Sequence, residues 1–445
     1  MPRAEPAQRP SAALTPEDLA DAWLALSEEE RAEGFELLSA LDAERFFESL
    51  SARDQAALLL ALPSHAQRLW MRLLAPDDAA DVLQEAPVEE RDHLLALLDE
   101  DTRKDVRALL AYAEDVAGGL MSPRFARVRP DMTVDEAIRY LRRQAREELE
   151  TIYYVYVLDA EQRLVGVASF RELFAAPPDT CVKDVMHREV VSVPEEMDQE
   201  LVSRRFSDHR LLALPVIDAE GRMKGVITVD DIVDVVREED TEDVQKVGGS
   251  EALSGPYLGV NLREMVKKRA GWLSVLFVGE SLTATAMGYF EDEIAQAVVL
   301  ALFLPLIIAS GGNSGSQAST LVVRALALRD VRLSDWQRVL VREIASGTVL
   351  GLLLGAIGFL RVVAWERAFH TYGPHYLGVG LTVAVSLFGV VLCGCVAGAM
   401  LPLVLRRLRF DPASASAPFV ATLVDVAGVV IYFTVASMVL SGTLL

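Results

Sequence analysis

The sequence predicts a multidomain protein with an all-α helical-repeat N-terminal domain, an α/β domain of two tandem copies and a five-span α-helical membrane domain. Three observations carry that prediction. Leucines recur at helical spacing through residues 11–112, with Pro or Asp at the breaks. The stretch "VLDAEQRLVGVASFRELF" at 157–174 returns at 216–233 as "VIDAEGRMKGVITVDDIV". Five apolar runs, each near the ~20 residues a bilayer span requires, fill residues 271–440.

Charge divides the chain in the same way. Residues 262–445 carry 14 Lys/Arg and 11 Asp/Glu, which leaves 29 and 54 for residues 1–261. The balance is +3 for the apolar part and −25 for the rest. A field of that sign repels nucleic acid and attracts small cations. The three cysteines fit neither a disulfide framework nor a zinc knuckle. Met1–Arg31 has no apolar core of a secretory signal, so the front part is expected in the cytoplasm.

The first domain, 1–114, reads as short amphipathic helices such as "AERFFESLSARDQAALLLALP", punctuated by Pro63, Pro76 and Pro87. Such a pattern suggests stacked hairpins stabilised by neighbours. His65 and His93 are read as helix-flank residues.

Each copy of the 59-residue repeat reads as strand, turn, strand, helix, with boundaries at 115–180 and 181–247. A Met-ended lead-in, "AGGLMSP" or "VKDVMHR", precedes each copy. Thr228 or Asp230 can cap the last helix. The pair resembles CBS domains, modules that often bind adenine nucleotides. That resemblance makes ATP a candidate ligand at Thr228 and Asp230 of "TVDD", a pattern that "SFRE" lacks in the first copy. The residues leave a purely structural pair equally open.

An acidic run follows, "DDIVDVVREEDTEDVQKVGG" at 230–249. Asp230/Asp234 and Glu238/Glu242 are like-charge i,i+4 pairs that destabilise a helix. Its place at a hinge makes it a candidate site for bridging cations. The connecting segment 248–269 leads into the membrane domain, 270–445.

The five spans are Gly271–Phe290, Ile294 to about Val323, Ile344–Trp365, Leu377–Leu405 and Pro418–Leu440. Lys267–Arg269, the Arg324–Arg342 cluster and Arg406–Arg409 fall on one side of them. The positive-inside rule then places the N-terminus in the cytoplasm and the C-terminus outside a cell membrane.

Inside the second span lies "SGGNSGSQ", residues 310–317. Its three glycines weaken a helix, and its amides are costly against lipid. Gly311 and Gly315 suit close helix packing; Gly312, Asn313 and Gln317 suit a hydrated cation. Asp425 sits mid-span with no basic residue in its own span, near Ser414, Ser416 and Thr422. An acid there costs about 2.5–3.5 kcal/mol on insertion scales, so it faces a cavity or a partner. Glu280 is a second candidate. Oxygen ligands without His, Cys or Met disfavour zinc and copper, and one carboxylate suits Mg²⁺ held through its waters. Inward movement of two charges across 100 mV gains about 4.6 kcal/mol, so uptake needs no ATPase.

"LLAYAEDVAGGLMSP", the repeat, "LPLIIASGGNSGSQASTLVVRALAL" and "FDPASASAPFVATLVDVAGVVIYF" together resemble the MgtE family of magnesium channels and transporters. The resemblance spans nearly the whole chain. It implies a non-enzymatic homodimer with a pore between subunits, Asp425 in the pore and Asn313 beside it. It implies closure by Mg²⁺ bound at Asp231, Glu238, Glu239, Asp240 and Asp243, and at Asp77, Asp78 and Asp81, acting through the connecting helix. A broad divalent channel carrying Co²⁺, Ni²⁺ or Ca²⁺ and a non-conducting membrane-anchored sensor are the alternatives. Ala417 and Val424 depart from the family pattern, which commonly has Gly and often has Thr at these places.

Overall fold

The structure is a computed structural model. It describes residues 14–144, 149, 153–253, 255 and 257–441. It divides into two compact units, Met1–Glu239 and Asp240–Leu445.

The first unit opens with α1 Pro16–Ala22, α2 Glu28–Glu36, α3 Ala40–Ser49, α4 Ala52–Ala61, α5 Ser64–Leu73, α6 Pro76–Glu85, α7 Val88–Leu97 and α8 Glu100–Leu109. Their N-caps fall at Thr15, Ser27, Ser39, Ser51, Pro63, Ala75, Pro87 and Asp99, a period of twelve. Thr15, Ser27, Ser39, Ser51 and Asp99 accept a backbone N–H of the first turn, satisfying a donor the helix cannot pair itself. Leu26, Leu38, Leu50, Leu62, Leu74, Leu98 and Leu110 end the turns at the same period, with Ala86 in place of one leucine. Alternate helices stack: α2, α4, α6 and α8 form one row, while α1 packs on α3 and α5 on α7.

The remainder of this unit is the tandem repeat. Its elements are α9 Ala117–Leu120, β1 Arg127–Val128, α10 Val134–Gln144, β2 Tyr154–Leu158, β3 Leu164–Ser169, α11 Phe170–Ala175, α12 Val182–Val185, β4 Val193–Pro194, α13 Gln199–His209, β5 Ala213–Ile217, β6 Met223–Thr228 and α14 Val229–Val247. α14 continues into the second unit. The sheets β1-β2-β3 and β4-β5-β6 have the same order and the same bulge, at Val157/Leu158 and Val216/Ile217. The lead-ins cross between copies. Ser122 exchanges both backbone bonds with Val226, and His187 with Val167. Met121 lies over Gly225 and Met186 over Gly166, where a Cβ would come within 2.7 Å and 2.5 Å of those side chains.

The second unit holds α15 Leu262–Tyr289, α16 Glu291–Gln296, α17 Val298–Ala301, α18 Leu304–Ala327, α19 Trp336–Phe369, α20 Tyr376–Arg407 and α21 Ala417–Leu440. Among the described residues, five helical stretches are long and apolar enough to cross a membrane: 262–289, 298–327, 333–369, 376–407 and 417–440. The second breaks at Leu302 and Phe303 before α18 begins with Pro305 near its start. The Tyr432 hydroxyl donates to the Leu300 carbonyl there, at 2.8 Å. Of the connecting segment, only 262–269 is helical, and it is the start of α15 itself; residues 254 and 256 lie outside the described residues. α18 packs on α20 and α21, α19 on α20, and α15 on α21.

Glycines set the α18–α20 crossing. A Cβ on Gly394 would lie 2.4 Å from the Gly311 carbonyl oxygen, and one on Gly398 only 2.1 Å from that of Gly315. Both obstacles are backbone and cannot rotate away. Gly398→Ala should therefore destabilise the protein by about 1–3 kcal/mol, as overpacking does. Gly288→Ala, which would meet nothing within 4 Å, should change it by less than about 0.5 kcal/mol. Chemical denaturation in detergent compares the two.

Candidate cation path and acidic face

α18 remains one helix through Ser310–Gln317. Its glycines do not break the helix, and Gly311 and Gly315 pack closely, as their spacing suggested. Gly311, Gly312, Ser314 and Gly315 are buried. Gly311 and Gly315 face Val424 as well as α20. The residue before Asp425 therefore points into an apolar seam, where a valine packs and a threonine hydroxyl is not needed. Gly312 lies one position further around. A Cβ there would sit 3.4 Å from Ala421 Cβ and 3.7 Å from Asp425 Oδ1. The Asp425 carboxylate thus lies beside the Gly312 backbone, half-buried.

Two further oxygen groups join it. The Thr422 hydroxyl is placed to donate to Glu280 Oε1 at 3.2 Å and to the Pro418 carbonyl at 3.1 Å. Gly279 permits this approach, because a Cβ there would meet Thr422 Cγ2 at 2.6 Å. Glu280, the next residue on α15, also reaches Asp425. Gly312, Thr422, Glu280 and Asp425 are therefore together. Asn313 and Gln317 are on the exposed side of α18 with Thr320, at i, i+4 and i+7. Among the described residues this amide and hydroxyl stripe is left uncovered by protein, although it lies in an apolar span.

Two residues that sequence reasoning did not single out fix the entrance to α21. Ser319 donates to the Ala415 carbonyl at 2.8 Å and Ser316 to the Ala417 carbonyl at 3.0 Å. Their i, i+3 hydroxyl spacing on α18 was the available signal. Ala417, the second departure from the family pattern, takes part through its backbone oxygen.

In the first unit α6 carries Asp77, Asp78 and Asp81. Asp77 is buried; Asp78 is exposed. Asp81 keeps a solvent-facing edge yet has protein packed around it. That desolvation, with the Asp78, Asp231, Glu114 and Glu238 carboxylates, pushes its pKa up to about 8. Desolvation likewise pushes Asp231 up to about 7, against two hydrogen bonds from Thr228 that favour its charge. Those bonds, from the Thr228 N–H at 2.9 Å and its hydroxyl at 2.7 Å, match the Ser169–Glu172 capping box of the first copy. Asp230 is exposed in the first turn of α14. Glu239 accepts from Gln199 Nε2 at 2.7 Å. Asp240 and Asp243, further along α14, belong to the second unit. No group of three or more His, Cys, Asp or Glu stands at metal-holding spacing among the described residues.

The helical domain is tied to the second copy by the "AYAEDVAGG" elbow. Tyr112 donates to Glu195 at 2.6 Å, and the Ala117 and Gly118 amides donate to Met197 and Glu195.

Comparison with known proteins agrees with this architecture. The MgtE family profile, described as a divalent cation transporter, matches residues 304–435. The MgtE intracellular N domain matches 14–115, and CBS domains match 113–179 and 182–238. The chain is 43% identical over 371 residues to the magnesium transporter MgtE of Thermus thermophilus, covering 82% of this chain and 80% of that one. It is 35% identical to MgtE of Enterococcus faecalis, over 75% and 71% of the two chains. A crystal structure of the cytosolic domain of the Mg²⁺ channel MgtE with ATP is 44% identical, covers 50% of this chain and 90% of its own, and superposes with a TM-score of 0.46. These relatives are transporters and not enzymes. On the extent of these matches and five candidate spans, the chain is a multi-pass membrane protein that belongs to the MgtE family of magnesium transporters.

Proposed function

We propose that the protein is a Mg²⁺-selective channel for passive influx, working as a homodimer and closing when cytosolic Mg²⁺ binds its acidic soluble face. The observation that carries this reading is the Asp425 carboxylate beside Gly312, with Thr422 and Glu280 adjacent. A fixed negative charge offsets part of the ion's dehydration, while uncharged oxygens can bind its retained water. The uncovered stripe Asn313, Gln317 and Thr320 supports a second copy facing it across a water-filled path, since polar atoms in a bilayer need partners or water. The basic clusters favour a cytoplasmic N-terminus and an outside C-terminus. An adenine nucleotide is a further candidate ligand of the CBS pair, at Thr228 and Asp230.

Closure draws on the carboxylates of α6 and α14. Without a counter-ion, Asp78, Asp81, Asp231 and Glu238 raise one another's charging cost. A divalent cation removes that cost and so favours the arrangement that gathers them. Asp240 and Asp243 extend the same acidic helix as candidate ligands.

Asp425→Asn should lower Mg²⁺ uptake into vesicles by about tenfold or more per folded dimer, a barrier change of about 1.4 kcal/mol. Asn313→Ala should lower it less. Undiminished uptake by D425N removes the pore assignment, and Ca²⁺ or Co²⁺ entering as readily as Mg²⁺ indicates the broad divalent channel. No flux through intact protein under a Mg²⁺ gradient indicates the sensor.

The carboxyl shifts also set a pH dependence. Between the ordinary carboxyl range and about pH 8, folded protein holds protons on Asp81 and Asp231 that unfolded protein has lost. Their contribution to stability therefore falls as pH rises through that window. In Mg²⁺-free buffer the melting temperature of the soluble unit should drop from pH 5 to pH 8. Mg²⁺ should restore more stability at pH 8 than at pH 6, with protons released on binding. Differential scanning calorimetry of the full chain, beside D81N/D231N, measures both effects.

A further inference from the structure

We infer that the Lys246–Asp411 ion pair is a latch coupling the end of α14 to the entrance of α21, and that Lys246 is a positioning residue for the helix that carries Asp425. The inference rests on the gating reading above and deepens it by naming a route within the second unit.

Lys246 stands in the last turn of α14, and its Nζ lies 2.8 Å from Asp411 Oδ2, across 165 residues of chain. It also pairs with Glu242 one turn earlier. The Lys246 and Asp411 side chains are 31% and 38% exposed, so solvent screens the pair less than one standing free on the surface. Lys246 is a fixed cation on an otherwise acidic helix, where Arg237 is the other base.

Asp411 is joined to α21 with little slack. Its carboxylate accepts from the Ala413 amide at 2.9 Å, capping the 3₁₀ turn Pro412–Ser414. The next carbonyls, Ala415 and Ala417, are held by Ser319 and Ser316 of α18. Ser416 then caps α21 by accepting from the Phe419 amide. Asp425 lies eight residues into that helix, about 12 Å at its usual rise. A pull on Asp411 therefore acts on a short, hydrogen-bonded segment leading to the proposed pore carboxylate.

Packing seats the same helix end a second time. Gly249, at φ +79°, presses against Trp272 of α15 and Pro418 of α21; a Cβ would lie 2.9 Å from Trp272 Nε1 and 3.0 Å from Pro418 Cγ. Trp272 also packs against Phe419, with ring centroids 6.0 Å apart and the planes tilted by 41°. A charge contact to Asp411 and an apolar contact to Pro418 thus hold the end of α14 to the segment that enters α21.

The test uses full-length protein in vesicles, with uptake followed as Mg²⁺ on the cytosolic side is varied. Lys246→Gln removes the cation, and Asp411→Asn removes the charge while keeping an acceptor for Ala413. Each should raise the Mg²⁺ concentration for half-closure by about fivefold, the upper end for one such pair. The double variant should shift no further, because the two residues act through one contact. Lys246→Arg, which keeps a cation between Glu242 and Asp411 and leaves the Asp411 cap intact, should stay within about twofold of the parent. Parental values in both K246Q and D411N, multiplicative effects in the double, or a K246R shift as large as that of K246Q would each overturn the latch. If the parent itself does not close with Mg²⁺, the gating reading fails, and the latch is judged separately by chymotryptic cleavage at Tyr257 and Leu258, which are 68% and 77% exposed. Faster cleavage in K246Q with the parental rate in K246R supports the latch; equal rates in K246Q and the parent overturn it.

Discussion

A carboxylate inside an apolar span is unfavourable unless water, a cation or a polar partner attends it, and the membrane unit is arranged around that constraint at Asp425. The α18 surface solves two problems with neighbouring residues. Gly311 and Gly315 allow backbone contact with Gly394 and Gly398 and accept Val424. Gly312, one step around, leaves room beside the Asp425 carboxylate. A larger residue at the first two positions would separate the helices; one at the third would cover the acid. Small-residue packing and the proposed cation path thus share one motif because they use different faces of one helix.

The soluble part faces a related electrostatic problem on a larger scale. Its −25 balance keeps acidic helices soluble but opposes their close approach. The α6 and α14 carboxylates are brought together nonetheless, because the elbow at Tyr112 and the twelve-residue stack fix α6. Desolvation first, and the neighbouring carboxylates second, raise the pKa values of Asp81 and Asp231 there. An arrangement that is costly without a cation and relieved by one suits a cation-dependent equilibrium. It need not use a single tight site.

Much of this was legible in the sequence, for identifiable reasons. The 59-residue repeat shows directly because each copy has a conserved turn and cap, and its strands and bulge follow the same offset. The five spans show because length and apolarity suffice. The twelve-residue period of caps and leucines was equally available, but Pro63, Ala75 and Pro87 in place of Ser or Thr obscure it. The crossing of Met121 and Met186 onto the opposite copy is not local and leaves only Gly225 and Gly166 as signs. At the candidate site, Asp425, Gly312, Thr422 and Glu280 are recognisable as polar residues in apolar runs. Which glycines pack and which faces the acid depends on helix rotation. Lys246 and Asp411 carry no mutual signal at all, since tertiary folding alone brings them together.

A hydrated cation path along the exposed α18 stripe beside Asp425 would make cysteines at residues 313 and 317 accessible to water-borne reagents. In full-length protein in vesicles, after Cys181, Cys393 and Cys395 are replaced by serine or alanine, a charged, membrane-impermeant thiol reagent should modify both positions in low Mg²⁺, and millimolar Mg²⁺ should slow the reaction. Modification only by lipid-soluble reagents, with no effect of Mg²⁺, would contradict that path.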